Sequence, residues 1–255
     1  MTFVDIHAHL DFQSILEKKE EMLEKMKQNN IIALSNTMNY YNYIQTKEIY
    51  QDSKQVHVIP GLYPSNAATI NDDEMNQYLK YLKEHKDEFV AIGEVGLDAH
   101  ESKDEHILQA QEKRFRQIIE LAIELNKGLI IHTRKQEEKT LQIIEEYVEK
   151  TGFRKFDLHC FTGKKKFFEV IKRLRIYCSI PLVILNTQSF QLLVEALPIG
   201  QILVETDSPY LHPDKVTNTP VEIPRIYEKI AQLKGYDSQE VQHIIYKNYM
   251  NFINR

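Results

Sequence analysis

Six side chains of types that bind divalent metal ions recur along this chain, each close to the end of a short apolar run. They are His7, His9, Glu94, His132, His159 and Asp207. Imidazole nitrogens and carboxylate oxygens together suit Zn, Mn or Mg, in that rough order of preference for mixed sites. The set predicts metal-assisted hydrolysis, in which bound ions activate a water molecule.

Residues 5–9 (DIHAH) carry two imidazoles at positions i and i+2. Alternate side chains of an extended segment point to the same side, so His7 and His9 can reach one ion. A histidine pair so early in the chain can equally be solvated or form a partly buried polar pair. The pair ends an apolar run that opens a series of predicted strands, and this position favours the metal interpretation.

Residues 93–98 (GEVGLD) place a carboxylate at the end of the fourth apolar run. Glu94 has two carboxylate oxygens and could therefore bridge two cations. A lone glutamate in a loop is more often a solvated cap or part of a salt bridge. In the same segment, Asp98 could orient a metal ligand or simply cap a turn.

His132 and His159 each close a strand-like run, and Asp207 follows the eighth run. A lone histidine in such a position is more often structural than a ligand. The recurrence argues for ligands, because four of the ten histidines lie at predicted strand ends. Either Glu205 or Asp207 could be the functional acid of the last segment. The loop position favours Asp207, whereas Glu205 would point inwards or hydrogen-bond a neighbour.

Side chains so far apart in sequence need a fold that brings them together. Eight apolar runs alternate with amphipathic segments of helical period, which is typical of βα units and a parallel sheet. We predict strands at residues 3–6, 31–34, 56–59, 90–93, 129–132, 156–159, 176–180 and 202–205. Helices are predicted at residues 105–125, 136–150 and 221–233, with a last helix from Ser238, as N-cap, towards Ile253. The pattern predicts a single α/β domain over residues 1–255, a (β/α)8 TIM barrel whose strand ends hold all six side chains.

Composition excludes several classes of protein. Of 255 residues, 42% are hydrophobic and 27% charged. No apolar run approaches the roughly 20 residues of a membrane span, and the start of the chain does not resemble a secretory signal. We therefore expect a soluble cytoplasmic protein with no membrane partner. The two cysteines, Cys160 and Cys178, are too few for a disulfide framework. A net charge of -5 argues against a broad grip on long nucleic acid, although bound cations could still attract a phosphate.

Five motifs, in order, resemble those of the TatD family of metal-dependent deoxyribonucleases, within the wider amidohydrolase-like barrels. They are residues 5–9 (DIHAH), 93–98 (GEVGLD), 131–134 (IHTR), 159–163 (HCFTG) and 205–210 (ETDSPY). The resemblance covers nearly the whole chain, and the ordered set is far more specific than any single motif. It implies that His7, His9 and Asp207 hold one ion. It also implies that His132 and His159 hold a second ion and that Glu94 bridges the two.

Three departures from the family pattern lie around the expected substrate. Tyr63, in residues 61–64 (GLYP), stands where the family commonly has a histidine, and Ala99 stands where an aromatic residue is usual. The loop after Tyr210 is short and carries Thr219 where the family often has a glutamate. Such divergence resembles a specialised branch, for example the TatD-like QatD proteins of bacterial anti-phage cassettes. That resemblance implies partner proteins from a defence cassette.

Further substrate contacts are predicted from charge and position. Arg134 follows His132, and its planar guanidinium suits two phosphate oxygens at once, although a structural salt bridge would also explain it. Lys164 begins a basic run that could contact a nucleic-acid backbone or be a solvated helix start. Tyr63 is expected on the substrate side of the metal ions. Tyrosines after the second strand could stack on bases, although aromatic clusters are more often packing surfaces; they are Tyr40, Tyr41 and Tyr43.

These interpretations together predict a phosphodiesterase that uses two divalent ions on DNA, either single-stranded or at a processed end. Asp207 would orient or deprotonate the attacking water, and Glu94 would hold the ions together. The same barrel and ligands could instead hydrolyse amides or esters, including aminoacyl esters of tRNA. Many amidohydrolases bridge their metals with a modified lysine, so Glu94 in the comparable place favours the phosphodiesterase. A third interpretation is a binding subunit without enzymatic activity.

Overall fold

The computed structural model describes residues 1–253, and its framework is a set of eight strands that pair only in parallel. The strands are β1 (Phe3–Ala8), β2 (Ile31–Asn36), β3 (Val56–Ile59), β4 (Ala91–Asp98), β5 (Gly128–Arg134), β6 (Phe156–Leu158), β7 (Tyr177–Ile180) and β8 (Ile202–Val204). Helices occupy the connections between strands, which is the pattern expected from repeated βα units.

The α-helices vary from one turn to six. They are α1 (Gln13–Leu16), α2 (Lys19–Gln28), α3 (Tyr40–Ile49), α4 (Pro64–Thr69), α5 (Asp72–Glu84), α6 (Glu105–Leu125), α7 (Glu137–Thr151), α8 (Phe168–Leu174), α9 (Gln188–Ala196), α10 (Ile223–Lys234) and α11 (Ser238–Ile253). Local signals explain several of their ends. Asn71 and Glu74 form a capping box at the start of α5. Asn126, in the left-handed conformation, ends α6.

The strands follow one another around the barrel in chain order. One sheet has the order β1-β2-β3 and the other has the order β4-β5-β6-β7-β8. Between β3 and β4, the amide of Leu62 donates to the carbonyl of Glu94 at 3.0 Å. Between β8 and β1, the amide of Asp207 donates to the carbonyl of His7 at 2.9 Å. The eight-stranded order confirms the predicted TIM barrel.

The hydrophobic core has an inner and an outer part. The larger cluster lies between strands and helices and includes Phe115 and Ile118 of α6. The smaller cluster joins inward-facing strand residues, among them Ile6 and Leu34, to Phe252 of α11. Because Asn248 of α11 also donates to the carbonyl of Ile202 at 2.8 Å, the last helix covers the end where the strands begin. The opposite end, where the strands finish, holds the functional loops.

Some predicted boundaries were wrong. The fourth strand was predicted at residues 90–93 but runs over Ala91–Asp98, so Glu94 lies inside the strand and not beyond it. The two glycines of the GEVGLD segment interrupt the apolar pattern, so the sequence did not predict that the strand continues. Pairing with β5 resumes at Val95 after a register shift. Ser238 is the first residue of α11 and not its N-cap. The carboxylate of Asp237 caps that helix, accepting from the amide of Gln239 at 2.8 Å.

Other expectations from composition can be compared directly. None of the helices within residues 1–253 combines the length and apolar character needed to span a membrane. Both cysteines are free thiols, with Cys178 buried and Cys160 partly exposed, which agrees with the predicted lack of a disulfide framework. The predicted helices at residues 105–125 and at the end of the chain match α6 and α11 closely.

Candidate metal centre

The six predicted ligands converge at the end of the barrel where the strands finish. Five of them line one cavity of about 310 Å³, and the sixth, His7, is completely buried beside them. The five are His9, Glu94, His132, His159 and Asp207. β1 and its C-terminal end supply both His7 and His9. Each of the other four predicted ligands comes from a different strand or from the loop that follows it. The fold therefore brings together residues that are 200 positions apart in the sequence.

Glu94 lies at the centre of the cluster with its two oxygens facing different partners. Oε1 lies 2.6 Å from Nδ1 of His132 and 3.2 Å from Nε2 of His159. Oε2 lies 3.6 Å from Nε2 of His9 and 3.9 Å from Nε2 of His7. One carboxylate thus faces two pairs of imidazole nitrogens, which is the arrangement that a bridging ligand requires.

The first ligand group has the spacing that a metal ion needs. Nε2 of His7 lies 3.2 Å from Nε2 of His9 and 3.4 Å from Oδ1 of Asp207. Nε2 of His9 lies 3.7 Å from the same Asp207 oxygen. Tetrahedral ligands at Zn–N distances of about 2.0–2.1 Å are roughly 3.3 Å from one another. Burial and the nearby His159 lower the pKa of His7, so its imidazole is neutral, as a metal ligand must be. These residues fit a divalent cation.

His159 and Glu94 complete a second possible group. Together with His7 they offer ligand atoms that all lie within 4.8 Å of one another. The resemblance to TatD proteins assigns His132 rather than His7 to this second ion. The short contact from His132 to the same Glu94 oxygen supports that assignment, because Nδ1 of His132 and Nε2 of His159 face one oxygen from two sides.

Asp98 holds the far side of the His132 ring. Its Oδ2 lies 2.8 Å from Nε2 of His132, and its Oδ1 accepts from the amide of His100 at 2.6 Å. The sequence offered these two contacts as alternatives, and Asp98 makes both, because it holds the ring of the proposed ligand His132 and accepts from a turn amide. Burial alone would lower the pKa of His132, but the carboxylates of Glu94 and Asp98 outweigh it and raise the pKa to about 8.

A buried chain of polar groups supports His159. Its Nδ1 lies 3.3 Å from Oε2 of Glu205, and the hydroxyl of Ser179 lies 2.6 Å from the same oxygen and 2.8 Å from Oδ2 of Asp157. Ser179 has one hydrogen, so one of its two carboxyl neighbours must carry a proton. Burial, together with Glu205, raises the pKa of Asp157 well above its usual range and identifies it as the protonated group. Glu205 is therefore the inward-pointing partner of His159 and not the acid of the cavity.

Asp207 occupies a loop that the first strand holds in place. Its backbone is left-handed, with φ 54°, and the preceding Thr206 is fixed by Asp5 through contacts of 2.6 Å from Oγ1 and 3.0 Å from the amide. Burial would raise the pKa of Asp207, but the hydrogen bond from His7 and the surrounding histidines lower it overall. The carboxylate is thus ionised and faces the cavity. Sequence reasoning missed the supporting role of Asp5, although Asp5 opens the DIHAH motif and precedes His7 by only two residues.

The predicted substrate-binding residues divide between two places. Tyr63 and Arg134 line the metal cavity, and the ring of Tyr63 lies 5.1 Å from that of His132. Lys164 instead lines a neighbouring cavity of about 510 Å³, together with Lys135. Sequence reasoning also missed residues that form the wall of the metal cavity: Phe12, Met38 and Tyr210. Tyr210 belongs to the ETDSPY motif, but the motif does not reveal which way its ring points. The fold shows that Tyr210 lines the cavity.

A TIM barrel whose strand ends carry buried histidines around a shared carboxylate belongs to the class of metal-dependent hydrolases. The profile of one such family, described as TatD related DNase, matches residues 4–254. The chain therefore belongs to the TatD family, as its motifs indicated.

Individual relatives agree with this family. A metal-dependent hydrolase of Methanocaldococcus jannaschii is 29% identical over 254 residues, covering 99% of this chain and 97% of the relative. Human deoxyribonuclease TATDN3 is 32% identical over 257 residues, covering 96% of this chain and 92% of the relative. The crystal structure of YJJV, a TatD homologue from Escherichia coli K12, has a TM-score of 0.87 at 20% identity and covers 99% of this chain and 98% of its own. The last comparison supports the fold alone.

Proposed function

We propose that this hydrolase cleaves phosphodiester bonds of single-stranded DNA with the help of two divalent metal ions. The observation that carries the proposal is the position of Glu94, whose two oxygens each face a separate pair of histidines. The similarity to human deoxyribonuclease TATDN3 supports the choice of DNA. Retention of every predicted ligand in one buried cluster argues against a subunit that only binds.

Two ions would be held by the six predicted ligands. His7, His9 and Asp207 would hold one, His132 and His159 the other, and Glu94 both. When bound, divalent ions supply Lewis acidity towards phosphoryl oxygens and lower the pKa of water. The mixed nitrogen and oxygen ligands favour Zn or Mn over Mg, because Mg prefers oxygen ligands and keeps several waters.

The side chains of this chain would divide the remaining tasks. Asp207 is ionised, faces the cavity and lies in a loop, so it can orient a water molecule and accept its proton. Arg134 is exposed on the cavity rim, where its guanidinium can donate two hydrogen bonds to one phosphate. Tyr63 lines the same cavity and can donate a hydroxyl hydrogen. Lys164 and Lys135, in the next cavity, can contact a further phosphate of the strand.

The shape of the metal cavity favours a single strand. A volume of about 310 Å³ accommodates a phosphate with part of one nucleotide, and the ligands lie at its buried end. A stacked and paired backbone is held away from such a recess by the neighbouring strand, whereas an unpaired strand or a frayed end can enter it. We therefore expect cleavage to need unpaired nucleotides.

One experiment tests this function directly. Metal-loaded protein is incubated with end-labelled single-stranded DNA, duplex DNA and RNA of one sequence, and the products are separated on a denaturing gel. We expect the single-stranded DNA to be cleaved fastest, the reaction to stop with a chelator, and Glu94→Ala to be inactive. Absence of cleavage with both metal sites loaded would refute the proposal, and aminoacyl esters or amides would then be the substrates to assay.

Two further expectations stay predictions. The departures at Tyr63, Ala99 and Thr219 led to the hypothesis of a QatD-like member of an anti-phage cassette, with partner proteins. The composition led to the expectation of a cytoplasmic location. Co-purification from the native cell and fractionation of that cell would test the two expectations separately.

A further inference from the structure

A second cavity, which we call the tyrosine cleft, opens beside the metal cavity. It has a volume of about 580 Å³, nearly twice that of the metal cavity. Its aromatic lining comes from two helices, α3 and α5, and amide side chains complete it. The residues that define the cleft are Tyr40, Tyr41, Tyr78, Tyr81, Asn66 and Gln77.

The two cavities share a wall built from two short loop segments. Met38 and Tyr63 line the metal cavity, whereas their chain neighbours Asn39 and Leu62 line the tyrosine cleft. The segments are tied together, since the amide of Tyr63 donates to the carbonyl of Met38 at 2.9 Å. Leu62 is also hydrogen-bonded to the backbone of Glu94, the central residue of the metal centre. These two loop segments therefore separate a ligand in the metal cavity from the cleft.

The rings of the cleft pack against one another, and one of them is accessible. Tyr41 is 78% exposed, and its ring packs edge-on against Tyr40 with centroids 5.6 Å apart. Tyr40 in turn packs against Tyr81 at 5.0 Å, and the hydroxyl of buried Tyr78 donates to the carbonyl of Gly61 at 2.9 Å. A large exposed ring that packs on further aromatic rings is a surface on which a flat molecule can stack.

The cleft is nearly free of charge. Glu74 is the one ionisable acid or base other than tyrosine among its lining residues in the described part of the chain, and its carboxylate is engaged with the backbone of Asn71. A phosphate would find no cation there. By contrast, Asn66 and Gln77 offer both donors and acceptors, which match the edges of a nucleobase.

We propose that the tyrosine cleft binds a nucleobase of the DNA strand whose scissile phosphate lies in the metal cavity. The inference rests on the proposed function, because it takes the neighbouring phosphodiester as the reacting group. Stacking on a tyrosine tolerates any base, since every base has a flat π-face. The cleft thus binds the strand without selecting its sequence.

The distribution of charge around the barrel predicts the path of the strand across the site. The tyrosine cleft is built from the segments between β2 and β4, whereas the cations Arg134, Lys135 and Lys164 lie at the end of β5 and in the segments that follow β5 and β6. The metal centre lies between these two sides. A single strand that crosses the mouth would therefore place one base in the tyrosine cleft and the scissile phosphate at the metal centre. Neighbouring phosphates of the strand would lie beside the cations.

The test compares binding with cleavage in three variants. The probe for binding is a fluorescein-labelled dT octamer with phosphorothioate linkages, which resist hydrolysis, and its Kd is measured by anisotropy. Kinetics are measured with the ordinary dT octamer. The variants are Tyr41→Ala, Tyr41→Phe, which keeps the ring, and Tyr236→Ala, a matched control because Tyr236 is 40% exposed on another surface.

We expect Tyr41→Ala to raise the Kd and the KM by about 5- to 150-fold, the range for loss of one stacked base. Tyr41→Phe and Tyr236→Ala should resemble the wild type. An octamer without bases should bind the wild type and Tyr41→Ala equally, because it offers nothing to stack. Equal Kd values on the dT octamer, or equal losses with and without bases, would overturn the tyrosine cleft as a base site.

The two proposals can fail separately. If the wild type binds the probe but cleaves no DNA, the nuclease function is refuted while the effect of Tyr41→Ala on Kd still decides the cleft. If the wild type cleaves DNA and Tyr41→Ala changes neither constant, the cleft is refuted and the nuclease function stands. If the metal-loaded wild type does not bind the probe, both are overturned.

Discussion

Asp98 and His132 lie on neighbouring strands and are joined by a contact of 2.8 Å between Oδ2 and Nε2, while Nδ1 of the same ring faces Glu94. A carboxylate behind a ligating histidine fixes the tautomer and the orientation of the ring and makes it a better electron donor. The contact therefore assigns the two nitrogens different tasks. With a metal ion bound, Nε2 would keep its hydrogen for Asp98 and Nδ1 would be free to bind the ion.

Replacing Asp98 by asparagine should weaken metal binding without removing any proposed ligand. The amide keeps the shape but not the charge, so His132 becomes less basic and less firmly oriented. We expect about a 10- to 100-fold loss of metal affinity, measured by competition with a chelator. Asp104→Asn is a suitable control, because Asp104 caps α6 at the surface. Unchanged affinity in Asp98→Asn would show that the contact does not orient the ligand.

Glu94→Ala should change the number of bound ions. A bridging carboxylate contributes to both sites, so its removal opens a position on each of them. We expect elemental analysis of dialysed protein to give fewer ions per chain than in the wild type. Glu195→Ala, at an exposed position on α9, should retain the wild-type content. Equal metal content in Glu94→Ala would reject the bridging role.

Asp207→Asn should separate chemistry from binding. Asparagine tolerates the left-handed backbone at this position, so the loop should be retained. The loss of the negative charge removes the proton acceptor, and kcat should fall by about 10²- to 10⁴-fold, the usual contribution of general-base catalysis. Single-turnover kinetics at saturating metal would measure this effect, alongside the Kd for DNA. Wild-type turnover in this variant would exclude Asp207 as the base.

The pKa of His132, raised to about 8 from 6.5, predicts how the metal-free protein responds to pH. Between these two values the folded state binds more protons than the unfolded state, so stability falls as pH rises. The contribution is complete below pH 6.5 and is lost as pH rises through about 8. Asp5, whose pKa burial raises to about 8, acts in the same direction.

Metal binding should show the opposite trend, because the ions displace the proton on His132. We expect the Tm of metal-free protein to fall between pH 6 and 8.5 and the metal affinity to rise over the same interval. Calorimetry in buffers of different ionisation enthalpy would detect the released protons. A metal affinity independent of pH in this range would contradict the raised pKa.

Gly96→Ala should destabilise the fold near the metal centre. Gly96 has φ +148°, and a Cβ there would lie 2.0 Å from the carbonyl oxygen of His132. The strained backbone alone costs about 1–3 kcal/mol, and the clash with β5 adds to this value. Urea denaturation would measure the loss in the free energy of unfolding. Gly200→Ala is the control, since nothing lies within 4 Å of a Cβ at that exposed position, and it should be nearly neutral.

The convergence of the ligands could be predicted because it depends only on the order of elements. In a parallel barrel every strand finishes at the same end, so His132 and His159 meet there whatever the exact boundaries. The long β4 could not be predicted as well, since the glycines around Glu94 interrupt the apolar pattern on which strand prediction relies. Pairing with β5, and not the local sequence, extends that strand to Asp98.

The partners behind the ligands depend on register, which the pattern of apolar residues does not reveal. Asp157 and Ser179 meet because β6 and β7 pair with Leu158 opposite Cys178. A shift of one residue would turn these side chains to the other face of the sheet. For the same reason the sequence left the role of Glu205 open. The tyrosine cleft required still more, because Tyr40 and Tyr81 meet only through the packing of α3 on α5.

The hydrogen bond between the amide of Asp207 and the carbonyl of His7 joins the last strand loop to the first strand. His7 and Asp207 are 200 residues apart in the sequence, so this ligand group forms only once the last strand lies beside the first. A nascent or truncated chain that stops before residue 207 cannot complete the first ligand group. Local opening between the last strand loop and the first strand would therefore separate Asp207 from both histidines.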